Sequence, residues 1–287
     1  MKIKNFILPV LALILILIYI VLETSKEKYE VQKLFPDNLK INKITYYGDG
    51  INFVVEKDNK TDEWILVEPE KWAANKDEIS DLINAFKNVD IITELGTVGD
   101  NNTYEITRNK YLLLEDGGQA YKLYIGKRDP SYKMVYVKLN EDKLVKLVDA
   151  AFTNYLPSSL NQIKDKRVYS FDKDKLTNYI IKIDNKTFEL TLNNGKYFID
   201  NESLEDNVSK VLIQDISTMT ANTFVDKNLL DNATKDGFIK FTVDNTIKTF
   251  EIYKDKDGDY LIPTAGKSTF KIYNFTIDSF LKKFSKL

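Results

Sequence analysis

One uninterrupted apolar stretch near the N-terminus constrains this chain more than any other feature. Residues 6–22 carry no charge, and the Tyr19 hydroxyl is their one polar side-chain group. A helix rises about 1.5 Å per residue, so about 20 apolar residues cross the hydrocarbon core of a bilayer. The stretch therefore predicts an N-terminal transmembrane helix that makes the lipid bilayer a partner of the chain. Its anchor positions are Phe6, Pro9, Leu13, Leu17, Tyr19 and Leu22.

A cleaved signal peptide is the main alternative for this stretch. The apolar part of such a peptide runs about 7–15 residues and ends at a small-x-small cleavage site. Here the run is longer and is followed by Glu23-Thr24-Ser25, which is a poor site. The absence of cysteine also excludes a lipoprotein signal. We therefore favour an uncleaved anchor.

The orientation of this anchor rests on its short N-terminal tail. Two lysines precede the stretch and several follow it, so the distribution of basic residues is nearly balanced. The N-terminal tail has only five residues, and a long C-terminal domain can be translocated largely regardless of its charge. The sequence predicts a single-pass inner-membrane protein with a cytoplasmic tip and an extracytoplasmic C-terminal domain.

Composition excludes several classes of function. Among 287 residues there is no cysteine and no histidine, which removes thiolate sites, Ser-His-Asp triads and nearly all zinc chemistry. The formal net charge of −2, with both signs interspersed, argues against a nucleic-acid footprint. The 11 glycines fit neither a P-loop nor a dinucleotide fingerprint. An enzyme remains possible through Asp, Glu, Lys, Tyr or Ser, but we expect none, and we expect no cofactor and no metal.

Two successive stretches of the chain show the same order of patterns. The first contains strand patterns near residues 44–67, an amphipathic helix that Asn75 caps, further strands between 111 and 139, and a helix over 144–156. The second contains strands from 179 to 199, a helix that Ser203 caps, strands from 238 to 273, and a helix near 277–284. Side-chain identity between the two is low, so the repeat is one of pattern.

These patterns predict an α+β fold. The transmembrane helix is followed by two similar β-β-β-α-β-β-β-α domains, each with helices on a mostly antiparallel sheet. The predicted organisation is a tip and anchor over 1–22, a juxtamembrane linker over 23–38, and repeat domains over 39–165 and 166–287.

Several segments resemble a known bacterial family. They are Trp64-Ile-Leu-Val-Glu-Pro69, the following Ala74-Asn75 with the helix stripe, Leu123-Tyr-Ile-Gly126 and Val135-Tyr-Val-Lys138. Over residues 40–171, and more weakly in the C-terminal half, the chain resembles the DUF4340 domain proteins. Those proteins usually carry Asp where Asn75 stands and Tyr-Gly-Leu where this chain has Tyr104-Glu-Ile106. The resemblance implies an N-terminally anchored protein associated with ABC transporter components of the gliding-motility type. It implies no catalytic residues.

Two groups of residues are candidate sites. The sequence Asp255-Lys-Asp-Gly-Asp259 has alternating carboxylates of the kind that bind Ca²⁺, but its glycine and its twelfth residue do not fit an EF-hand loop. We interpret it as a polar hairpin turn. Trp64, Pro69 and Trp72 are the candidate interaction surface, and packing of the two tryptophans over a sheet edge is the structural alternative.

Two functions from different classes remain open. The first is a membrane-anchored, non-catalytic interaction module, an accessory subunit of an ABC-type transport or cell-envelope complex whose integral membrane or ATPase subunits are its partners. The second is an envelope enzyme that acts on glycan or peptide through Asp and Glu carboxylates. The enzyme would need two converging acids and one raised pKa, and no sequence feature selects such a pair. We therefore favour the interaction module.

Overall fold

The computed structural model of the protein describes residues 14–20, 32–36, 38–97 and 101–284. Within these ranges, twenty β-strands form two nine-stranded antiparallel sheets and one two-stranded sheet. Helices are short and few by comparison, so the described part of the chain is mostly β.

The first sheet has the spatial order β4-β3-β2-β1-β6-β7-β8-β9-β5. Its strands are β1 (Lys43–Gly48), β2 (Ile51–Lys57), β3 (Trp64–Glu68), β4 (Trp72–Ala73), β5 (Ile91–Thr97), β6 (Tyr111–Asp116), β7 (Gln119–Arg128), β8 (Met134–Leu139) and β9 (Leu144–Asp149). Helix α1 (Lys76–Lys87), the 3₁₀ helix Ala150–Tyr155 and the short helix α2 (Leu160–Ile163) contribute buried side chains to its core. A further 3₁₀ helix spans Asn101–Tyr104.

The second sheet has the order β14-β13-β12-β11-β17-β18-β19-β20-β16. Its strands are β11 (Leu176–Ile183), β12 (Lys186–Asn193), β13 (Lys196–Ile199), β14 (Glu202–Ser203), β16 (Thr223–Asp226), β17 (Thr234–Val243), β18 (Thr246–Lys254), β19 (Tyr260–Ile262) and β20 (Ser268–Ile272). Its core includes side chains from helices α3 (Asp206–Ile216) and α4 (Asn274–Leu281) and from the two-stranded sheet of β10 (Arg167–Ser170) and β15 (Thr218–Thr220).

The two large sheets have equivalent strand orders. In each, a four-stranded meander is followed by one helix, and the next strand of that sheet along the chain, β5 or β16, lies at the edge opposite the meander. The hairpin β1–β2 corresponds to β11–β12, and β6–β7 corresponds to β17–β18. This equivalence allows positions in one sheet to be compared directly with positions in the other.

Period-two alternation explains why these segments form strands with one buried face. In β1, Ile44 and Tyr46 are buried while Tyr47 is exposed, and in β11 Tyr179, Ile181 and Ile183 are all fully buried. Side chains at i and i+2 share one face of a strand, so each sheet directs its apolar set toward its helices.

Helix α1 follows its sequence signals closely. The Asn75 side chain accepts hydrogen bonds from the backbone N–H groups of Asp77 and Glu78 at 3.1 and 3.5 Å, which confirms the predicted N-cap. The predicted apolar stripe is buried at Ile79, Leu82 and Phe86. The cap and the stripe together position α1 against the first sheet.

The predicted α+β class with a β-β-β-α-β-β-β-α unit is wrong. Each large sheet contains nine strands, because short strands such as β4 and β14 and the long edge strand β5 were not recognised in the sequence. Residues 144–156 form β9 and a 3₁₀ helix rather than an α-helix. Leu144, Leu147 and Val148 fit helical spacing, but pairing with both β8 and β5 decides their structure.

Helix α3 begins later than predicted. Ser203 lies in β14, and Glu205 occupies the N-cap position without a side-chain cap bond. Ser203, which the sequence predicts as the N-cap, instead pairs with Phe198 of β13.

The predicted transmembrane helix is not supported. In the part of the chain that the structure describes, no helix is long and apolar enough to cross a bilayer. Residues 14–20, which include the predicted anchor positions Leu17 and Tyr19, are helical and exposed. Phe6, Pro9, Leu13 and Leu22 lie outside the described residues.

Candidate functional site

The residues predicted as an interaction surface lie at the start of the first sheet, and they differ in exposure. Trp64 opens β3 and is 7% exposed within the first core. Pro69 is exposed in the turn that follows the cis Glu68–Pro69 peptide. Trp72 is half-buried in β4. Trp64 therefore packs in the first core, whereas Pro69 and Trp72 lie closer to the surface.

Trp72 joins the two halves of the molecule. Its ring makes edge contacts with Phe224 of β16 and Phe270 of β20, at centroid distances of 5.2 and 5.5 Å. Its indole Nε1–H donates to the Asp165 carbonyl oxygen at 3.0 Å. These contacts explain why Trp72 packs against both hydrophobic cores.

A buried ion pair lies beside Trp72. Lys164 bonds the Glu70 carboxylate, and the side chains are 5% and 16% exposed. Ser268 contacts both members: its hydroxyl donates to Glu70 Oε1 at 2.9 Å, and its oxygen lies 2.8 Å from Lys164 Nζ. Burial tends to raise the pKa of the Glu70 carboxyl, but the hydrogen bonds from Lys164 and Ser268 outweigh it and hold that pKa below its usual value. The cluster links Glu70 and Lys164 of the first half to Ser268 of the second half, and it is suited to stabilising the contact between the two halves.

The acidic sequence 255–259 forms a turn that is organised around a lysine. Asp255 Oδ1 accepts backbone N–H bonds from Asp257 and Asp259, both at 2.9 Å. Lys271 Nζ lies 2.8 Å from Asp255 and 3.0 Å from Asp259. An ammonium group thus occupies the position between the carboxylates, and among the described residues no group of acids is arranged to hold a metal ion.

The described carboxyl groups with perturbed pKa values share one direction of shift. In each, hydrogen bonds or neighbouring lysines outweigh any effect of burial, and the pKa is lowered. They are Asp58, Glu70, Asp129, Asp142, Asp184, Glu251 and Asp255. A general acid needs a shift in the opposite direction.

A row of aromatic side chains crosses the outer face of the first sheet. Tyr47, Tyr111 and Tyr124 are successive cross-strand partners on β1, β6 and β7. We call these three residues, with Lys122 and Lys138, the tyrosine row. Tyr47 is 42% exposed and Tyr124 is buried, so the row runs from an open end to a covered end.

Ring and cation contacts hold the tyrosine row in place. Tyr47 and Tyr111 are stacked with centroids 5.8 Å apart and ring planes within 9°. Lys122 Nζ lies 3.9 Å from the Tyr111 centroid and 5.0 Å from that of Tyr124, and Lys138 Nζ lies 5.8 Å from Tyr124. Cation–π contacts of this kind stabilise a cation without neutralising its charge. The row therefore presents fixed aromatic edges beside positive charge.

The equivalent row of the second sheet has different chemistry. Lys182, Phe238 and Glu251 are cross-strand partners on β11, β17 and β18, at the positions that match the three tyrosines. Glu251 forms an ion pair with Lys235 at 2.5 Å. Of the two equivalent rows, the one with three aligned tyrosines and no carboxylate is thus that of the first sheet.

The alignment of the three tyrosines was not predicted from the sequence. Alternation along one strand gives the face of each residue but not the register between strands. The Gly117-Gly118 turn was the available signal, because it fixes the pairing of Tyr111 with Tyr124.

One comparison identifies the chain. A family model described as "Domain of unknown function (DUF4340)" matches residues 64–212, from β3 to helix α3. Because the match covers more than half of the chain, the protein belongs to this family. No curated protein and no solved structure matches it.

Proposed function

We propose that this protein is a non-catalytic interaction module, an accessory subunit of an ABC-type transport or cell-envelope complex. The tyrosine row is the observation that carries the proposal, and we assign the contact with the partner to the outer face of the first sheet. Tyrosine and other aromatic residues are enriched at protein interfaces, where they give large contact area at low entropic cost.

The electrostatics of the row support a contact surface. Among the described residues, Lys122 and Lys138 lie near tyrosine rings and form no ion pair with a carboxylate. Both ammonium groups therefore retain charge that an acidic partner surface would complement. The lowered pKa values of the carboxyl groups also support a role without acid–base chemistry.

The partner class comes from the family resemblance. We assign the integral membrane or ATPase subunits of an ABC-type transporter as partners, at the inner membrane, and we assign nucleotide binding to those subunits. This protein would then supply a rigid β surface.

Recovery of partners from a mild-detergent extract tests the proposal. The tagged wild type is compared with a Tyr47→Ser, Lys122→Gln double variant, and the matched control is Lys182→Ser with Thr249→Gln at the equivalent positions of the second sheet. We expect the wild type and the control to recover transporter components. The row variant should recover at least about fivefold less of them than the wild type. Equal recovery with both variants, or no transporter component with any form, would contradict the proposal.

A further inference from the structure

A cleft of about 370 Å³ opens at one end of the first sheet. Its walls come from the β1–β2 turn, the end of β7, the start of β8 and the segment after the 3₁₀ helix Ala150–Tyr155. It shares no residue with the tyrosine row. Its chemistry is set by Arg128, the last residue of β7.

The Arg128 guanidinium is held in position without being neutralised. Nη2 donates to Thr153 Oγ1 at 2.7 Å, and Nη1 reaches the Tyr132 carbonyl oxygen at 3.5 Å. The Thr153 hydroxyl in turn donates to the Ala150 carbonyl oxygen at 2.7 Å, which fixes the orientation of its lone pairs. Of the five N–H donors of a guanidinium, three have no acceptor among the described residues, and none of the five faces a carboxylate there.

The second cation of the cleft is already paired. Lys110 Nζ lies 2.6 Å from Asp49 Oδ2, an oxygen that also accepts a hydrogen bond from the Tyr46 hydroxyl at 3.2 Å. With Lys110 and Asp49 offsetting each other, the cleft retains about one positive charge, located on Arg128. That charge matches a monoanion better than a doubly charged phosphate group.

Five other residues of the cleft wall are apolar. Ile125, Val135 and Pro157 are buried beneath it, and Ile51 and Leu156 are half-buried beside them. The cleft therefore suits a ligand that combines an anionic group with a small hydrocarbon body. Guanidinium groups recognise planar carboxylates through two parallel N–H···O bonds.

We propose that this cleft binds the carboxylate of a small amphiphilic acid, with the free donors of Arg128 on the carboxylate and the hydrocarbon body against Ile51 and Leu156. Two sources share this chemistry: a free aliphatic acid and the C-terminal residue of a peptide with an apolar side chain. The site is independent of the partner surface proposed above.

Calorimetric titration of the full chain tests the carboxylate requirement. The probes are hexanoate for a free acid and N-acetyl-Ala-Ala-Leu with a free C-terminus for a peptide end, each beside its uncharged amide. We expect an acid to bind at least about tenfold more tightly than its amide, because a hydrogen bond to a charged group is lost in the amide. The stronger acid probe identifies the source. Equal binding of acids and amides, or no binding of either acid, would overturn the proposal.

Three variants locate the site. Arg128→Gln should weaken the preferred acid about tenfold or more, whereas Arg108→Gln, an exposed arginine outside the cleft, should leave affinity unchanged. Ser158→Phe keeps Arg128 and fills the cleft, so it should also reduce binding. Far-UV circular dichroism checks that each variant folds, and if Arg128→Gln does not fold the Ser158→Phe result decides. Wild-type affinity in a folded Arg128→Gln or Ser158→Phe variant would overturn the assignment.

Discussion

The two halves of the molecule differ in the ion pairs at equivalent ends of their large sheets. In the second half, Asp184 of the β11–β12 turn pairs with Lys254 at 2.6 Å and accepts a hydrogen bond from the Tyr260 hydroxyl at 2.5 Å. Lys254 is the last residue of β18, as Arg128 is of β7. In the first half the equivalent aspartate, Asp49, pairs with Lys110 instead.

This difference separates what strand order dictates from what side chains decide. Both sheets have the same topology, yet one closes its turn region with internal ion pairs and the other leaves a guanidinium available in a cleft. The outer faces differ in the same sense, because tyrosines stand where the second sheet has lysine, phenylalanine and glutamate. Both of the binding surfaces that we propose therefore lie in the first half.

The largest expected effect contrasts the two aspartates. Asp184→Ala should lower the free energy of unfolding by about 2 kcal/mol, because it leaves the hydroxyl of buried Tyr260 without its acceptor and Lys254 without its partner. Asp49 also accepts a hydrogen bond from a buried hydroxyl, that of Tyr46, but at the longer distance of 3.2 Å and with a carboxylate that is 57% exposed. Asp49→Ala should therefore cost less, about 1 kcal/mol. Urea denaturation followed by circular dichroism measures both. A larger cost at Asp49 would reverse the comparison.

The pH dependence of stability sharpens that contrast. Hydrogen bonds from Lys254 and Tyr260 hold the pKa of Asp184 below its usual value, so its contribution is present above about pH 3.9 and is lost as pH falls through the lower folded pKa. The ion pair with Asp184 raises the pKa of Lys254. The contribution of Lys254 to stability is therefore fully present below about pH 10.4 and is lost as pH rises through the folded pKa. The stability difference between wild type and Asp184→Asn should be constant from about pH 5 to 9 and should shrink toward pH 3. A difference that grows on acidification would contradict this account.

A smaller effect is expected from making the first half resemble the second. Lys110→Gln releases Asp49, which lies in the same cleft as Arg128 and becomes available to pair with it. The affinity for hexanoate or the peptide acid should fall about threefold to tenfold, with little change in stability. Titration of this variant beside Lys127→Gln, which removes a neighbouring lysine paired to Glu105, provides the control. Unchanged affinity in Lys110→Gln would show that Asp49 does not control access to Arg128.

The smallest effect concerns the outer rows. Tyr47→Ser should cost about 0.5–1 kcal/mol through loss of its stacking on Tyr111, and Lys182→Ser should be close to neutral. The same denaturation experiment measures both. Equal costs would indicate that the aromatic contacts of the row add no stability to the sheet.

The sequence anticipated local features better than architecture. The Asn75 cap and the α1 stripe follow from short-range patterns, and both are confirmed. The strands β4 and β14 have two residues each, too few for any period, and β9 has helical spacing that only its pairing with β5 and β8 overrides. The α+β class was therefore wrong because strands that depend on long-range pairing were not visible.

The candidate sites show the same limit. Trp72 was identified from its residue type, but its contact with Phe224 joins residues that are far apart in the chain. Arg128 was not predicted as a site residue, because a single arginine forms no sequence motif. Its significance appears only when Asp49 is seen to pair with Lys110 and Thr153 is seen to hold the guanidinium.

Site-specific photocrosslinking in cells tests the central claim most directly. A photoreactive phenylalanine derivative is placed at position 47 in the tyrosine row or at position 182, the equivalent position of the second sheet. We predict adducts with a transporter or envelope-complex component from position 47 and none of comparable yield from position 182. Adducts from position 182 alone, or equal yields from both positions, would contradict the assignment of partner binding to the first sheet.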